Sequence, residues 1–430
     1  MTEISNNGKL KPAKIRFDEF ELDNGLQIIL SNDSYIPSVA INLCYHVGSK
    51  DEDENKRGFA HLFEHLMFEG SKNVPQGIYD KLLTFAGGDN NAYTTEDKTN
   101  YYVLLPSNQL ELGLWLESDR MLQFAITQDS LETQKEVVME EKRQNIDNRP
   151  YGTVSVEFAP KLFKTSGYRW DPIGDMKDIK NATLSDVKNF FERFYIPNNA
   201  VLSITGDINK DETLAMIRKY FGGIKRGKDI NRKNFNEPPL ASETVSVIYD
   251  NIHFPGIFIG YRIPGEQTRE QYAFDILSEI LSSGESSRFY RELVYKKQLV
   301  SEIGCYADTK EYAGIFYIFA ILMPGVKVDT VQSEIDNIVS EAISGNIKEE
   351  EIQKVKNRIE AKSIYRRQLI LSKADMLAHF KTFYGDAELI NTNLENYLKV
   401  TKEDIISSSQ KYINPNNRVV LHYLPVQDKK

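Results

Sequence analysis

Phe194-Tyr195-Ile196-Pro197-Asn198-Asn199 and Tyr412-Ile413-Asn414-Pro415-Asn416-Asn417 occupy the same place in two halves of one chain, 218 positions apart. Each is preceded at the same distance by an acidic and a β-branched residue, Asp186-Val187 and Asp404-Ile405, and is followed by an apolar run with strand character. A Pro-Asn-Asn turn alone is common. A matching helix ahead of it, at an offset of half the chain, points to duplication.

Outward from these turns the halves read in the same order. In the first, strand-like Leu26–Leu30 and Ser38–Val47 precede helical stretches at 58–69 and 76–86, short strands at 91–95 and 100–105, and helical patterns at 108–126 and 129–147. Strand Ala200–Thr205 closes that half. In the second, strands at 244–249 and 256–263, helices at 269–283 and 287–298, strands at 302–308 and 314–322, and helices at 328–343 and 347–369 lead to strand Arg418–Tyr423. Between the halves, Gly222-Gly223, a Lys/Arg/Asn-rich run and Pro238-Pro239 show no periodicity. The expected fold is α+β. Two homologous domains, 1–222 and 244–430, flank a linker at 223–243, each with a mostly antiparallel sheet backed by helices.

A length of 430 residues suits two cores rather than one. With 41% hydrophobic and 27% charged residues, the composition is that of a globular protein. No apolar run approaches the roughly 18 residues of a membrane span. The polar start, Met1 to Phe20, has neither the apolar core of a secretory signal nor the acid-free character of a presequence. The expected location is cytoplasmic, or periplasmic if a leader has been removed. A net charge of −9 without a marked Lys/Arg run argues against nucleic acid as a partner. Cys44 and Cys305 are the only cysteines, too few for a disulfide scaffold or a Cys-rich zinc site. Any metal must be held by His and carboxylates.

Six His make a short search, and Gly58-Phe59-Ala60-His61-Leu62-Phe63-Glu64-His65-Leu66-Met67-Phe68 ends it. On a helix, residues four apart share a face, so the imidazoles of His61 and His65 can reach one ion. Glu64 borders that face and can stand beside a water there without being a ligand. Leu62, Phe63, Leu66 and Phe68 would bury the helix and dry the site. Two His and a Glu together on a core helix are costly without partners or a metal. For a third ligand, Glu140 and Glu141 in Gln134–Arg143 remain tied on this reasoning. His46, His253, His379 and His422 have no partner at metal spacing and are assigned structural roles.

His-x-x-Glu-His is the inverse of the common zincin motif and marks the inverzincins. The chain closely resembles the pitrilysin/insulysin family over nearly its whole length, nearest to short two-domain bacterial members and to mitochondrial processing peptidase beta-like subunits. The resemblance implies one zinc ion per chain. Its third ligand in the family lies 76 positions beyond the second His, which selects Glu141. It also implies that Gln134, two turns earlier, orients the site as a neutral counterpart of a Glu common in relatives. The stretch Gly87–Thr95 resembles the family's Asn-Ala-Tyr/Phe-Thr strand, along which substrate is added as a further strand. Asn91 and Ala92 are carried over as substrate-binding residues.

Two His and one Glu leave a fourth position open, as a catalytic zinc site requires. Glu64 is then the acid–base catalyst of peptide hydrolysis. The second half carries no such motif. Family members that act alone have an Arg and, seven positions later, a Tyr holding the substrate backbone. Here those positions fall on Val294 and Ser301, with Arg291 or Tyr295 as substitutes only in another register. The expected partner is therefore a homologous chain without zinc in a heterodimer, otherwise a second copy in a homodimer. A noncatalytic subunit such as a respiratory-complex core protein, or a metal hydrolase of another substrate, are the competing readings. The intact metal motif argues against the former.

Overall fold

The computed structural model describes residues 2–4, 10–123, 125–232 and 235–426. Met1 and residues 5–9 of the polar start, and Lys233 and Asn234 of the expected linker, lie outside them. The chain forms two compact units. One comprises Met1–Glu140, Pro172–Asn234 and Lys362–Thr392, the other Glu141–Asp171, Phe235–Ala361 and Asn393–Lys430.

The first unit is built on a six-stranded sheet in the order Asp18–Glu21, Gln27–Asn32, Ala200–Gly206, Ser38–Tyr45, Thr99–Pro106, Asp89–Thr94. Only Gln27–Asn32 and Ala200–Gly206 run parallel. Ser38–Tyr45 and Ala200–Gly206 are buried along almost their whole length, the condition of strands covered on both faces. One face carries the large core around Leu43, Phe63 and Leu202. On the other, Leu377, Ala378 and Phe380 of the helix Ile370–Tyr384 pack on Ile29, Cys44 and Val201.

The second unit repeats this plan in five strands: Val300–Thr309, Ala313–Leu322, Gly256–Pro264, Arg418–Pro425, Thr244–Asp250. Again only the last two are parallel. The duplicated turns make the same bonds in both units. Thr183 and Thr401 each open a helix with a capping box closed by Asp186 and Asp404. Past those helices, the Asn199 amide donates to the carbonyls of Phe194 and His46. The Asn417 amide donates to those of Tyr412 and Arg262. Each Asn thus ties a helix C-terminus to the neighbouring strand, which explains why the motif persists in both halves.

The compact units do not coincide with the linear halves 1–222 and 244–430. Helix Val154–Leu162 lies in the second unit, where Phe158 and Leu162 pack with Phe258, Leu421 and Tyr423. Helix Ile370–Tyr384 lies in the first. Equivalent helices have been exchanged, because each covers the open face of the other half's sheet. A linear cut drawn from composition has no means of detecting that. Two expected helices also end differently. Gln128–Lys142 continues as a π-turn at Arg143–Asp147, and 287–298 becomes the π-turn Tyr290–Lys296. Helices Val154–Leu162, Met176–Asn181, Lys210–Phe221, Ile370–Tyr384 and Leu389–Lys399 lie outside the sequence expectations. Among the described residues, no helix is long and apolar enough to cross a membrane.

Candidate metal centre and substrate edge

The motif helix runs Phe59–Leu66. Phe59, Ala60, Leu62, Phe63 and Leu66 are buried in the first core, with the Phe63 ring 4.2 Å from that of Tyr195. With these five side chains buried, His61, Glu64 and His65 fall on the half-buried side. Gly58 begins the helix at φ 90°, in the left-handed region. A Cβ there would lie 2.8 Å from the Ile173 carbonyl oxygen. The cap comes instead from Glu52, which is buried. Its two carboxylate oxygens accept the N–H groups of Gly58 and Ala60 at 2.9 and 2.8 Å. A negative group at this end also complements the helix dipole. Arg57, paired with Asp175 and Asp178, holds the loop before it.

His61 and His65 stack edge to face with ring centroids 4.9 Å apart. One ligand atom from each, and one from Glu141, all lie within 4.8 Å of one another. Glu141 stands near the end of the continuous helix Gln128–Lys142 and is half-buried, whereas Glu140 and Glu136 are exposed. Of the two, Glu141 is the one that groups with the His pair. Two imidazoles and a carboxylate form the donor set of a catalytic zinc site, with a coordination position left over. The residues fit the metal. It is the sole such group of three His, Cys, Asp or Glu side chains among the described residues.

Glu64 is not among those ligand atoms. Its Oε2 accepts the Thr94 hydroxyl at 2.6 Å. Thr94 ends the strand Asp89–Thr94, which among the described residues pairs with Thr99–Pro106 alone and forms an edge of its sheet. The hairpin closes through the Thr95 N–H on the Lys98 carbonyl at 2.8 Å. Counted from there, antiparallel alternation turns the backbone groups of Asn90, Ala92 and Thr94 outward. Two of those outward donors are covered locally: Asn90 N–H donates to Asp89 Oδ1 at 3.0 Å, and Ala92 N–H to Asn91 Oδ1 at 2.8 Å. Asn91 is exposed and Ala92 half-buried. Gln134 donates to Glu69 Oε1 at 2.7 Å. Glu69 also accepts from Gln76.

Sequence reasoning missed Thr94 and Glu52. The hydroxyl's spacing from Glu64 depends on tertiary folding. The Glu52 cap spans a loop and resembles no local capping box. His422 bonds Gln332 at 2.8 Å, and the rings of His46 and His379 flank Phe383 at 4.9 and 5.0 Å.

Residues 27–169 match the family described as Insulinase (Peptidase family M16), and residues 181–359 match Peptidase M16 inactive domain. The chain belongs to peptidase family M16. By family and metal site, this M16 protein is a zinc metalloendopeptidase. The zinc protease PqqE of Helicobacter pylori is 29% identical over 416 residues, spanning 95% of this chain and 93% of that protein. An uncharacterized zinc protease of Mycobacterium leprae is 24% identical over 401 residues, 91% of this chain and 88% of the other. A crystal structure of a protease from Helicobacter pylori superposes with a TM-score of 0.92 at 28% identity, covering 96% of this chain and all (100%) of that one. An M16-like peptidase from Alicyclobacillus acidocaldarius shares the fold, with a TM-score of 0.84 at 20% identity over 96% and 99% of the two chains.

Proposed function

We propose that this M16 chain hydrolyses internal peptide bonds of oligopeptides or unfolded segments, with His61, His65 and Glu141 holding one zinc ion and Glu64 as the general base. The observation that carries this reading is the carboxylate of Glu64, adjacent to the ligand trio and hydrogen-bonded to the edge strand. Bound zinc supplies Lewis acidity that polarises a peptide carbonyl and acidifies water. Glu64 takes the proton from the attacking water and returns it to the departing amine. The Thr94 hydroxyl fixes Oε2 of Glu64. Substrate is held as an added strand along Asp89–Thr94. To pair there, a peptide carbonyl displaces the Asn91 side chain from the Ala92 N–H. That exchange trades one hydrogen bond for another, and backbone pairing reads extension more than sequence. Gln134, on the helix that carries Glu141, acts as a neutral orienter of the site.

The deciding experiment compares wild type and Glu64→Gln, each loaded with zinc, on quenched-fluorescent oligopeptides. A loss of at least about a hundredfold with zinc retained is expected, the scale of a removed general base. Wild-type turnover in the zinc-loaded variant would end the mechanism.

For the partner, the proposal is a heterodimer with a homologous chain that supplies the substrate-holding Arg and Tyr. Val294 packs against the second unit's core, and exposed Ser301 donates to the Ile321 carbonyl at 3.3 Å. Neither side chain can anchor a substrate backbone as a guanidinium or phenol would. Assay of the purified chain alone, then with the product of a neighbouring homologous gene, tests this. Full activity of the isolated chain, unchanged by the partner, would refute it.

A further inference from the structure

Tyr93 and Thr94 are neighbours on the edge strand, so their side chains point to opposite faces of the sheet. Thr94 reaches Glu64 on one side. On the other, Tyr93 Oη donates to Asp375 Oδ1 at 2.7 Å. Lys98 Nζ, at the far side of the hairpin turn, donates to the same oxygen at 3.2 Å and lies 5.1 Å from the Tyr93 ring centroid. One carboxylate thus ties both strands of the hairpin at its tip.

Asp375 sits on the exchanged helix Ile370–Tyr384, some 280 residues further along the chain. That helix is itself fixed. Lys373 pairs with Asp33, Lys381 with Glu19, and the Thr382 hydroxyl contacts Cys44 Sγ at 3.7 Å. Burial would raise the Asp375 carboxyl, but Lys98 and the hydrogen bonds from Tyr93 and Lys98 hold it below the usual carboxylate range. Burial would lower Lys98, yet Asp375 holds it above its ordinary value. The pair is ionised, with the Lys98 side chain largely buried and that of Asp375 about a third exposed, so it fixes position more than it adds stability.

The opposite side of the turn is pinned separately. Lys50 pairs with Asp97 at 2.7 Å, and Ser49 N–H donates to the Thr95 carbonyl at 3.2 Å. Gly48 permits this approach, since a Cβ there would lie 2.4 Å from the Thr95 and Glu96 carbonyl oxygens. The hairpin tip is therefore gripped at two places, and the Asp375 grip is the one that acts through Tyr93.

We propose that Asp375 is a positioning residue of the peptidase site: by holding Tyr93 and Lys98 it sets the edge strand and, through Thr94, the orientation of Glu64. An edge strand has one neighbour only. Displacement of about 1 Å at a catalytic group is enough to cost a large part of the rate. The inference rests on the proposed roles of Glu64 and the edge strand.

The test uses the full chain, with any activating partner present, as Tyr93→Phe, Asp375→Asn and Asp375→Glu. Zinc content, thermal midpoint, kcat and KM on one extended oligopeptide, and amide exchange across residues 89–95 are measured for each. Zinc should stay at one per chain throughout. Asp375→Asn should lose about tenfold or more in kcat/KM, divided between lower kcat and higher KM, with faster exchange along the strand. Tyr93→Phe should show a smaller loss of the same pattern, and it carries the test if Asp375→Asn fails to fold. Asp375→Glu should restore part of the loss. Unchanged kcat and KM in Tyr93→Phe and Asp375→Asn, whether or not the thermal midpoint falls, would overturn the proposal. A Glu64→Gln protein that remains active would instead overturn the reading of the site itself.

Discussion

Thr94 donates its hydroxyl to Glu64 across 2.6 Å, joining the strand that would carry substrate to the carboxylate that would activate water. The bond couples two tasks. Whatever shifts the edge strand also turns that carboxylate.

Replacing Thr94 with Val keeps the branched shape and removes the donor. The expected result is a fall in kcat of about tenfold, the scale of one hydrogen bond to a charged group, with zinc content unchanged. Thr94→Ser should recover most of it. Steady-state kinetics with metal analysis decide the matter, and equal kcat in Val and Ser variants would remove Thr94 from the mechanism.

Glu52 offers a stability test. It closes the N-terminus of the metal helix through the Gly58 and Ala60 N–H groups. Glu52→Ala leaves both donors buried and should cost about 1–3 kcal/mol, read from denaturant unfolding of the zinc-free protein. Glu52→Gln keeps one acceptor and should cost less. Zinc affinity should fall in the same order, because the helix carries both His ligands.

Much of this was legible beforehand, for physical reasons that can be named. His61, Glu64 and His65 announce themselves because helical periodicity converts a spacing of four into one face. The Pro-Asn-Asn turns announce the duplication because a helix end must satisfy its carbonyls the same way twice. Asp375 and Glu52 announce nothing. Their partners lie in other segments, and only folding brings them together. The exchange of Val154–Leu162 and Ile370–Tyr384 was hidden for a like reason: neither helix is marked by a clear periodicity, and which sheet each covers is decided only by folding. Glu141 lies between these cases. Residue chemistry alone leaves it level with Glu140, the family spacing favours it, and the fold brings Glu141 together with His61 and His65.

The second unit carries its own pH dependence. Asp275 is pushed up to about 6 by burial, against the hydrogen bond it accepts from Tyr397 at 2.7 Å, with Glu279 and Glu266 adding to the rise. A folded-state value above the unfolded one favours the protonated form in the fold. The resulting stability is full below about pH 4 and is lost as pH rises through about 6. Asp275→Asn should therefore raise the thermal midpoint at pH 7.5, by up to about 2–3 kcal/mol of stability, and change it little near pH 4. The same gain at both pH values would mean that packing, not charge, accounts for it.

The assignment of the third ligand is open to the most direct measurement. His61, His65 and Glu141 supply the three converging atoms, while Glu140 faces solvent one residue away. Adjacent residues on a helix point about 100° apart, so Glu140 cannot replace Glu141 without turning the helix end. Glu141→Gln should lose most bound zinc, as His61→Ala and His65→Ala should, whereas Glu140→Gln should keep one ion per chain. Elemental analysis after equilibration at a fixed free zinc concentration reads this without reference to activity. Circular dichroism alongside it separates loss of a ligand from loss of the helix. Full zinc retention in folded Glu141→Gln, with loss in Glu140→Gln, would move the third ligand one position along the chain and require the helix end to rotate when the metal binds.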